Sequence, residues 1–205
     1  MSRKIGIDVD GVLRDFCGTL VDVVKREYPH YLKENFDPTV EPSVDGGIVT
    51  DWYLANNFNC TKEDLQKIYW YDHAHTVMGN GWPMVGAIKR MYDLFDWADE
   101  QGHEVCCITS QRPHARVYTL TWLGRYGMNF ETVYFRRGKD KWKVNVDYLV
   151  DDSPNNYNYW KKGRGMEEGF ILMDAPYNQH IDTKNRVYNL DQVKRKSKEL
   201  YGKLK

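Results

Sequence analysis

The sequence lacks several features that would have named a function class at once. It has no net charge, because 29 lysines and arginines balance 29 aspartates and glutamates over 205 residues. The molecule as a whole therefore has no electrostatic reason to bind nucleic acid or an anionic membrane, and any anion must be held locally. No apolar run approaches the ~18 residues that a membrane-spanning helix needs, and the N-terminus leads straight into a strand-like segment. Its cysteines, Cys17, Cys60, Cys106 and Cys107, have no C-x-x-C spacing, and the adjacent pair falls inside an apolar run. A soluble, reduced, cytoplasmic protein is the expectation. There is no internal repeat and no low-complexity segment. The length suits one catalytic domain with a smaller accessory lobe.

What is present is a β-then-α rhythm. Ile5, Ile7 and Val9 alternate within Lys4 to Val9 before Asp10-Gly11 breaks the pattern, so a short strand ends in a turn. Further strands are expected at Glu104 to Thr109, Thr132 to Phe135, Tyr148 to Val150 and Phe170 to Met173. Val85, Ile88, Met91, Tyr92 and Phe95 recur at helical spacing after Pro83, and a second helix is expected from Pro113 to Tyr126. Asp191 to Lys205 reads as a lysine-rich helix capped by Asp191, with Val193 and Leu200 too sparse for a strong apolar face. This order predicts an α/β fold, a doubly wound and mainly parallel sheet whose ligands bind at the carboxyl ends of the strands. Residues 17–82 leave the rhythm, with Pro29, Pro38, Pro42 and Gly46-Gly47 among polar and aromatic residues. They are expected to form a small helical cap inserted after the first strand, with residues 1–16 and 83–205 as the catalytic core.

The chemistry collects at the expected strand ends. Asp8 and Asp10 are separated by one residue, and Gly11 permits the turn that aims both carboxylates into one site. One can attack phosphorus while the other moves a proton. A calcium loop also begins D-x-D-G, but the late glutamate of that loop is missing. Asp151 and Asp152 follow another strand, and hard oxygens brought together from two strand ends suit Mg2+. The same pair could also cap a helix. Thr109 and Ser110 offer hydroxyls, and Lys141 offers positive charge, to phosphoryl oxygens.

That order of Asp-x-Asp, hydroxyl, lysine and paired acids resembles the four motifs of the haloacid-dehalogenase superfamily from Ile5 to Pro154. The longest gap lies between Asp10 and Thr109, so the lobe belongs there. More narrowly, Asp8-Val9-Asp10-Gly11-Val12-Leu13-Arg14-Asp15-Phe16, Ile108-Thr109-Ser110 and Asp140-Lys141 ahead of Asp151-Asp152 resemble the 5'(3')-deoxyribonucleotidases. The resemblance implies Asp8 as nucleophile and Asp10 as acid and base. It implies Mg2+ on Asp8, the backbone carbonyl of Asp10 and Asp152, with Asp151 supporting them from behind. Thr109, Ser110 and Lys141 would hold phosphate, and Phe16 would line the pocket of a nucleoside monophosphate. The chain departs from the family where Gln111-Arg112 replaces a proline directly after Thr-Ser.

Other readings compete. Trp52, Tyr53, Phe58, Tyr69, Trp70 and Tyr71 could stack on a base, although most such residues are core, and one or two are expected to face the site. His73 and His75 lack a third metal ligand nearby and are expected to be packed or solvated. The basic run Arg136 to Lys143 would serve a nucleic-acid-binding module, a reading that leaves both acid pairs unexplained. A sugar phosphate is the alternative substrate, and a dehalogenase on the same fold would need neither Asp10 nor a metal. The sequence does not set the oligomeric state, and a homodimer is left open.

Overall fold

The computed structural model describes residues 2–34 and 49–201. Pro38, Pro42, Gly46-Gly47 and the last four residues of the expected C-terminal helix lie outside them. Six parallel strands form one sheet, β1 (Lys4–Ile7), β2 (Glu104–Thr109), β3 (Val133–Phe135), β4 (Tyr148–Asp151), β5 (Phe170–Met173) and β6 (Arg186–Val187), in the order β3-β2-β1-β4-β5-β6. The central strand β1 pairs Ile5 with Val105 on one side and with Tyr148 on the other. The chain builds outward from β1 first through β2 and β3, then returns to build through β4. The reversal leaves a crevice beyond the carboxyl ends of β1 and β4, the usual ligand position in such sheets.

Strands buried on both faces need apolar residues at successive positions, and these have them. Ile5, Ile7, Cys107, Val150, Ile171 and Met173 pack with α3 (Ala87–Glu100), Trp122 of α4 (Arg116–Arg125) and α6 (Leu190–Tyr201). Cys106, Ile108, Leu149, Phe170 and Leu172 face the other way, onto Tyr157 and Trp160 of α5 (Pro154–Arg164). Helices thus cover both faces. Gly6 fits this second face because a β-carbon there would fall 2.5 Å from Ile108 Cδ1.

Several expected boundaries move. β1 stops at Ile7, since the Val9 carbonyl is taken by the amides of Leu13 and Arg14 at 2.8 Å each, closing the turn that carries Asp10. α3 begins at Ala87 and not after Pro83. Gly86 takes a left-handed φ of 69° ahead of it, leaving Val85 exposed. Met91, Leu94 and Ala98 then form the buried stripe. β6 was not anticipated, and α5 only as the helix that the Asp151-Asp152 pair could cap. The C-terminal helix also differs from the expectation. Asp191 sits in its first turn and accepts from Arg90 Nε at 2.9 Å, while Leu190, Val193 and Leu200 are buried against the sheet, so the helix closes the core instead of merely covering it.

Between β1 and α3 the chain leaves the sheet. α1 (Phe16–Glu27) starts where Asp15 accepts from the Gly18 amide at 2.7 Å, and α2 (Lys62–Lys67) starts with a reciprocal Thr61–Asp64 capping box. Two π-helical turns follow, Ile68–Asp72 and His75–Gly79. Leu20, Val24, Phe58, Leu65, Ile68 and Val77 make a second core, which also takes in Ala175 and Tyr177 from the loop after β5. That shared cluster packs the segment between β1 and α3 against the loop after β5. His73 meets Tyr28 Oη at 3.2 Å and His75 meets Asn80 Nδ2 at 3.2 Å, so both histidines are tied into the lobe. No helix among the described residues is long and apolar enough to cross a membrane, and all four cysteines are free.

Candidate active site

Asp8 is the first residue past β1. Its amide donates to the Val150 carbonyl at 3.0 Å, which ties it to β4 and buries its side chain. Its Oδ1 accepts from the Val9 amide at 2.8 Å, and its Oδ2 lies 2.6 Å from Lys141 Nζ. Lys141, fully buried in the 3-10 turn Gly138–Lys143, also donates to Asp151 Oδ2 at 2.7 Å. Burial would lower the lysine's pKa, but the charges of Asp151 and Asp8 outweigh it and hold the ammonium charged. One cation therefore bridges two strand ends.

Asp151 and Asp152 are adjacent but differently occupied. Asp151 accepts from Lys141, from the Ser153 amide at 2.8 Å and from Asn156 Nδ2 at 2.9 and 3.0 Å, leaving it little room for another partner. Asp152 instead accepts the Tyr177 hydroxyl on Oδ2, while its backbone carbonyl takes Asn178 Nδ2 at 2.8 Å. The helix-capping alternative falls to Ser153, whose hydroxyl accepts from the Asn156 amide. Ligand oxygens of Asp8, Asp151 and Asp152 lie within 4.8 Å of one another.

These carboxyls are uncomfortable alone. Burial pushes Asp8 up to about 7, with the charges of Asp151 and Asp10 adding to it and Lys141 opposing it. Burial, then the charges of Asp151 and Asp8, pushes Asp152 well above its ordinary range. Buried like charges of this kind call for a cation, and hard oxygens select Mg2+ or its relatives. The donor set therefore fits the expected metal, with Asp8 and Asp152 the better ligands because Asp151 is already saturated.

Asp10, partly exposed, has one partner per oxygen. Arg14 donates to Oδ1 from Nε at 2.8 Å with Nη2 at 2.7 Å, and Gln111 Nε2 donates to Oδ2 at 2.7 Å. Sequence reasoning missed both. Arg14 was visible only as a member of the motif, four positions past Asp10, and Gln111 only as the residue standing where a proline was expected. Tyr177, Asn156 and Asn178 had no local signal at all.

Thr109 ends β2 fully buried, and neither its Oγ1 nor the Ser110 Oγ finds a hydrogen-bond partner. Ser110, Asp8, Asp10, Lys141 and Asp152 line a cavity of about 690 Å³, and Thr109 is not among its lining residues. Phe16, edge-on to Tyr69 at 5.4 Å, lines the cavity together with Trp52, Tyr53, Tyr69 and Trp70. Four of the six lobe aromatics thus reach the cavity, more than expected; Phe58 is core and Tyr71 stacks on His114 outside. The basic run does not form a continuous face. Lys141 is buried, Trp142 packs so closely on Gly163 that a β-carbon there would fall 2.3 Å from its ring, and Lys143 pairs with Asp140 at 2.6 Å. Arg137 and Lys139 line the cavity mouth.

Several solved structures described as haloacid-dehalogenase-like hydrolases share this fold. A hydrolase of that type from Bacteroides fragilis matches with a TM-score of 0.57 at 13% identity, over 94% of this chain and 100% of the other. YfnB from Bacillus subtilis, a HAD-hydrolase solved bound to magnesium, matches with a TM-score of 0.54 at 14% identity, over 95% and 97%. A haloacid-dehalogenase-like hydrolase from Burkholderia xenovorans matches with 0.55 at 12%, over 98% and 99%. No curated protein sequence matches the chain.

At this distance the structures establish the fold, and the sequence family narrows it. Residues 2–198 match the family model of the 5' nucleotidase, deoxy (pyrimidine), cytosolic type C proteins. The chain belongs to that family and is a phosphatase of the 5'-nucleotidase type.

Proposed function

We propose that the chain hydrolyses deoxyribonucleoside monophosphates in a Mg2+-dependent reaction through an aspartyl-phosphate on Asp8. The observation that carries this reading is the cavity itself, lined both by Asp8, Asp10, Asp152 and Lys141 and by the aromatic rings of Phe16, Trp52, Tyr53, Tyr69 and Trp70. A phosphate seated at Asp8 and Lys141 leaves the nucleoside within reach of rings, where stacking contributes about 1–3 kcal/mol per base.

In this reading an Asp8 carboxylate oxygen forms a bond to phosphorus as the ester P–O bond breaks, and Asp10 gives its proton to the departing oxygen. Asp10 then takes a proton from the water that attacks phosphorus, and the Asp8–phosphorus bond breaks. Asp8, Asp152 and the Asp10 carbonyl would hold Mg2+, which when bound offsets the charge gathered between carboxylates and phosphate. Lys141 neutralises the phosphoryl oxygens while staying anchored to Asp151. A buried hydroxyl without a partner costs about 1–3 kcal/mol, and a phosphoryl contact to Ser110, which lines the cavity, would offset that cost, while Thr109, buried beside Ser110, would need a shift of the loop after β2 to reach the phosphate. Phe16 contacts the nucleoside. Residues 17–82 act as the cap over a core of 1–16 and 83–205. Free thiols throughout the chain and the family's cytosolic description support a cytoplasmic setting.

The test is phosphate release from purine and pyrimidine nucleoside monophosphates, sugar phosphates and an aryl phosphate, each with Mg2+ and with EDTA. Deoxynucleotides hydrolysed fastest, and only with Mg2+, is the expected outcome. A sugar phosphate turned over faster than every nucleotide would overturn the substrate assignment.

A further inference from the structure

We propose that Arg14, with Gln111 opposite it, is a positioning residue for the Asp10 carboxylate, and that Arg14 ties this carboxylate to the seating of the lobe. The inference rests on the covalent reading above, in which Asp10 moves the proton.

Arg14 is fully buried, an unusual fate for a guanidinium, and a buried charge persists only with partners for its donors. Each donor has one. Nε and Nη2 address Asp10 Oδ1 at 2.8 and 2.7 Å. Nη1 donates to the Met78 carbonyl, in the second π-helical turn of the lobe, and lies 3.4 Å from Thr119 Oγ1 of α4. Nη2 lies 3.3 Å from the same hydroxyl, and the guanidinium sits 5.5 Å from the Trp122 ring centroid. Gly81 packs beside it: a β-carbon there would fall 2.6 Å from the Val77 carbonyl and 3.0 Å from Arg14 Cδ, and Trp122 Nε1 fixes the Gly81 carbonyl at 2.7 Å. Asp10 is the one carboxylate ion-paired to Arg14 among the described residues.

The second oxygen of Asp10 is held from the β2 loop by Gln111, and the residues just after Gln111 also grip the lobe. Arg112 donates to Tyr71 Oη at 2.8 Å and to Gln66 Oε1 at 3.2 Å, and His114 Nε2 meets the Trp70 carbonyl at 2.9 Å. Both supports of Asp10 therefore continue into the lobe, one at residue 78 and one at residues 66–71. A planar fork with fixed donors sets orientation as well as charge, which a lysine could not do. Misplacing a proton-transfer group by about 1 Å can cost ~10²-fold in rate.

The experiment separates positioning from folding. A nucleotide leaves as an alkoxide that needs a proton from Asp10, whereas 4-nitrophenyl phosphate leaves as a stable phenolate that does not; hydrolysis of the phosphoenzyme needs Asp10 in both cases. Asp10→Asn, Arg14→Met and Gln111→Ala are compared with the wild type by rapid-mixing kinetics on both substrates with Mg2+ present. Asp10→Asn is expected to release one nitrophenolate per enzyme in a burst and then stall. Arg14→Met should follow it, with a nearly unchanged burst rate, a slowed second phase and nucleotide kcat lower by ~10²-fold, and Gln111→Ala should show a smaller change of the same kind. Should Arg14→Met not fold, the Gln111→Ala pattern decides. No burst in Asp10→Asn overturns the covalent reading and the positioning role with it. A burst there, combined with equal losses on both substrates and in both phases for the Arg14 or Gln111 variant, overturns the positioning role alone.

Discussion

Gly11 lies directly against Asp152: a β-carbon built on Gly11 would fall 2.0 Å from Asp152 Oδ2, and Gly11 holds a left-handed φ of 75°. The turn after β1 and the carboxylate after β4 can share the site only because this residue has no side chain. Gly11→Ala should cost about 1–2 kcal/mol from the backbone alone and should also displace Asp152. The expected result is a modest drop in melting temperature with a much larger rise in the Mg2+ concentration needed for half activity. Wild-type Mg2+ dependence in the variant would refute the contact.

Asp8→Asn should abolish turnover, and Asp10→Asn should lower it by ~10²–10⁴-fold, the range typical of lost acid–base catalysis. Both variants should keep the wild-type circular dichroism spectrum. Folded Asp8→Asn protein that still turns over would end the nucleophile assignment.

The two neighbouring acids should separate by phenotype. Asp152 has an oxygen to offer a cation, whereas Asp151 is taken up by Lys141, Ser153 and Asn156. Asp152→Ala should weaken Mg2+ binding measured by calorimetry, while Asp151→Ala should leave Lys141 paired to Asp8 alone and mainly lower stability. Equal effects on metal affinity would remove the distinction.

Proton linkage gives a signed test. The buried Asp8 carboxyl titrates near 7 against an ordinary 3.8 in the unfolded chain, and Asp152 shifts in the same direction. Between those values the metal-free native state holds a proton that the unfolded chain has released, so its stability should fall as pH rises from about 4 to about 7. Mg2+ binding should expel that proton and flatten the slope. Urea denaturation across this range in EDTA and in Mg2+ reads both effects, and rising stability in EDTA would contradict the assignment.

Phe16→Ala should cut kcat/KM for a deoxynucleotide while leaving an aryl phosphate less affected, because the carboxylates and Lys141 are untouched. Equal losses on both substrates would move Phe16 out of the nucleoside pocket.

Much of this molecule is written locally. Alternation in Ile5, Ile7 and Val9, the turn at Asp10-Gly11 and the later apolar runs depend on neighbouring residues, so strands and strand-end acids are legible in order. A parallel sheet then brings those ends to one edge, which is why Asp8, Lys141, Asp151 and Asp152 could be grouped without coordinates. The C-terminal helix is legible in the same way, but its place in the core is not, because the few apolar residues of α6 count only once α3 and β6 stand beside them.

The sequence by itself determined which residue types stand at the strand ends, and therefore the chemistry available. Tertiary structure alone decided which acid is free and which is spent. Asp151 and Asp152 are adjacent and identical in type, and only Lys141, Asn156 and Tyr177 tell them apart. Likewise Gln111 reaches Asp10 across 101 positions and Arg14 reaches the Met78 carbonyl across 64. Hydrogen bonds are directional and short, so the partners of a buried charge follow from where the folded chain places their atoms, information that no local pattern of residues contains.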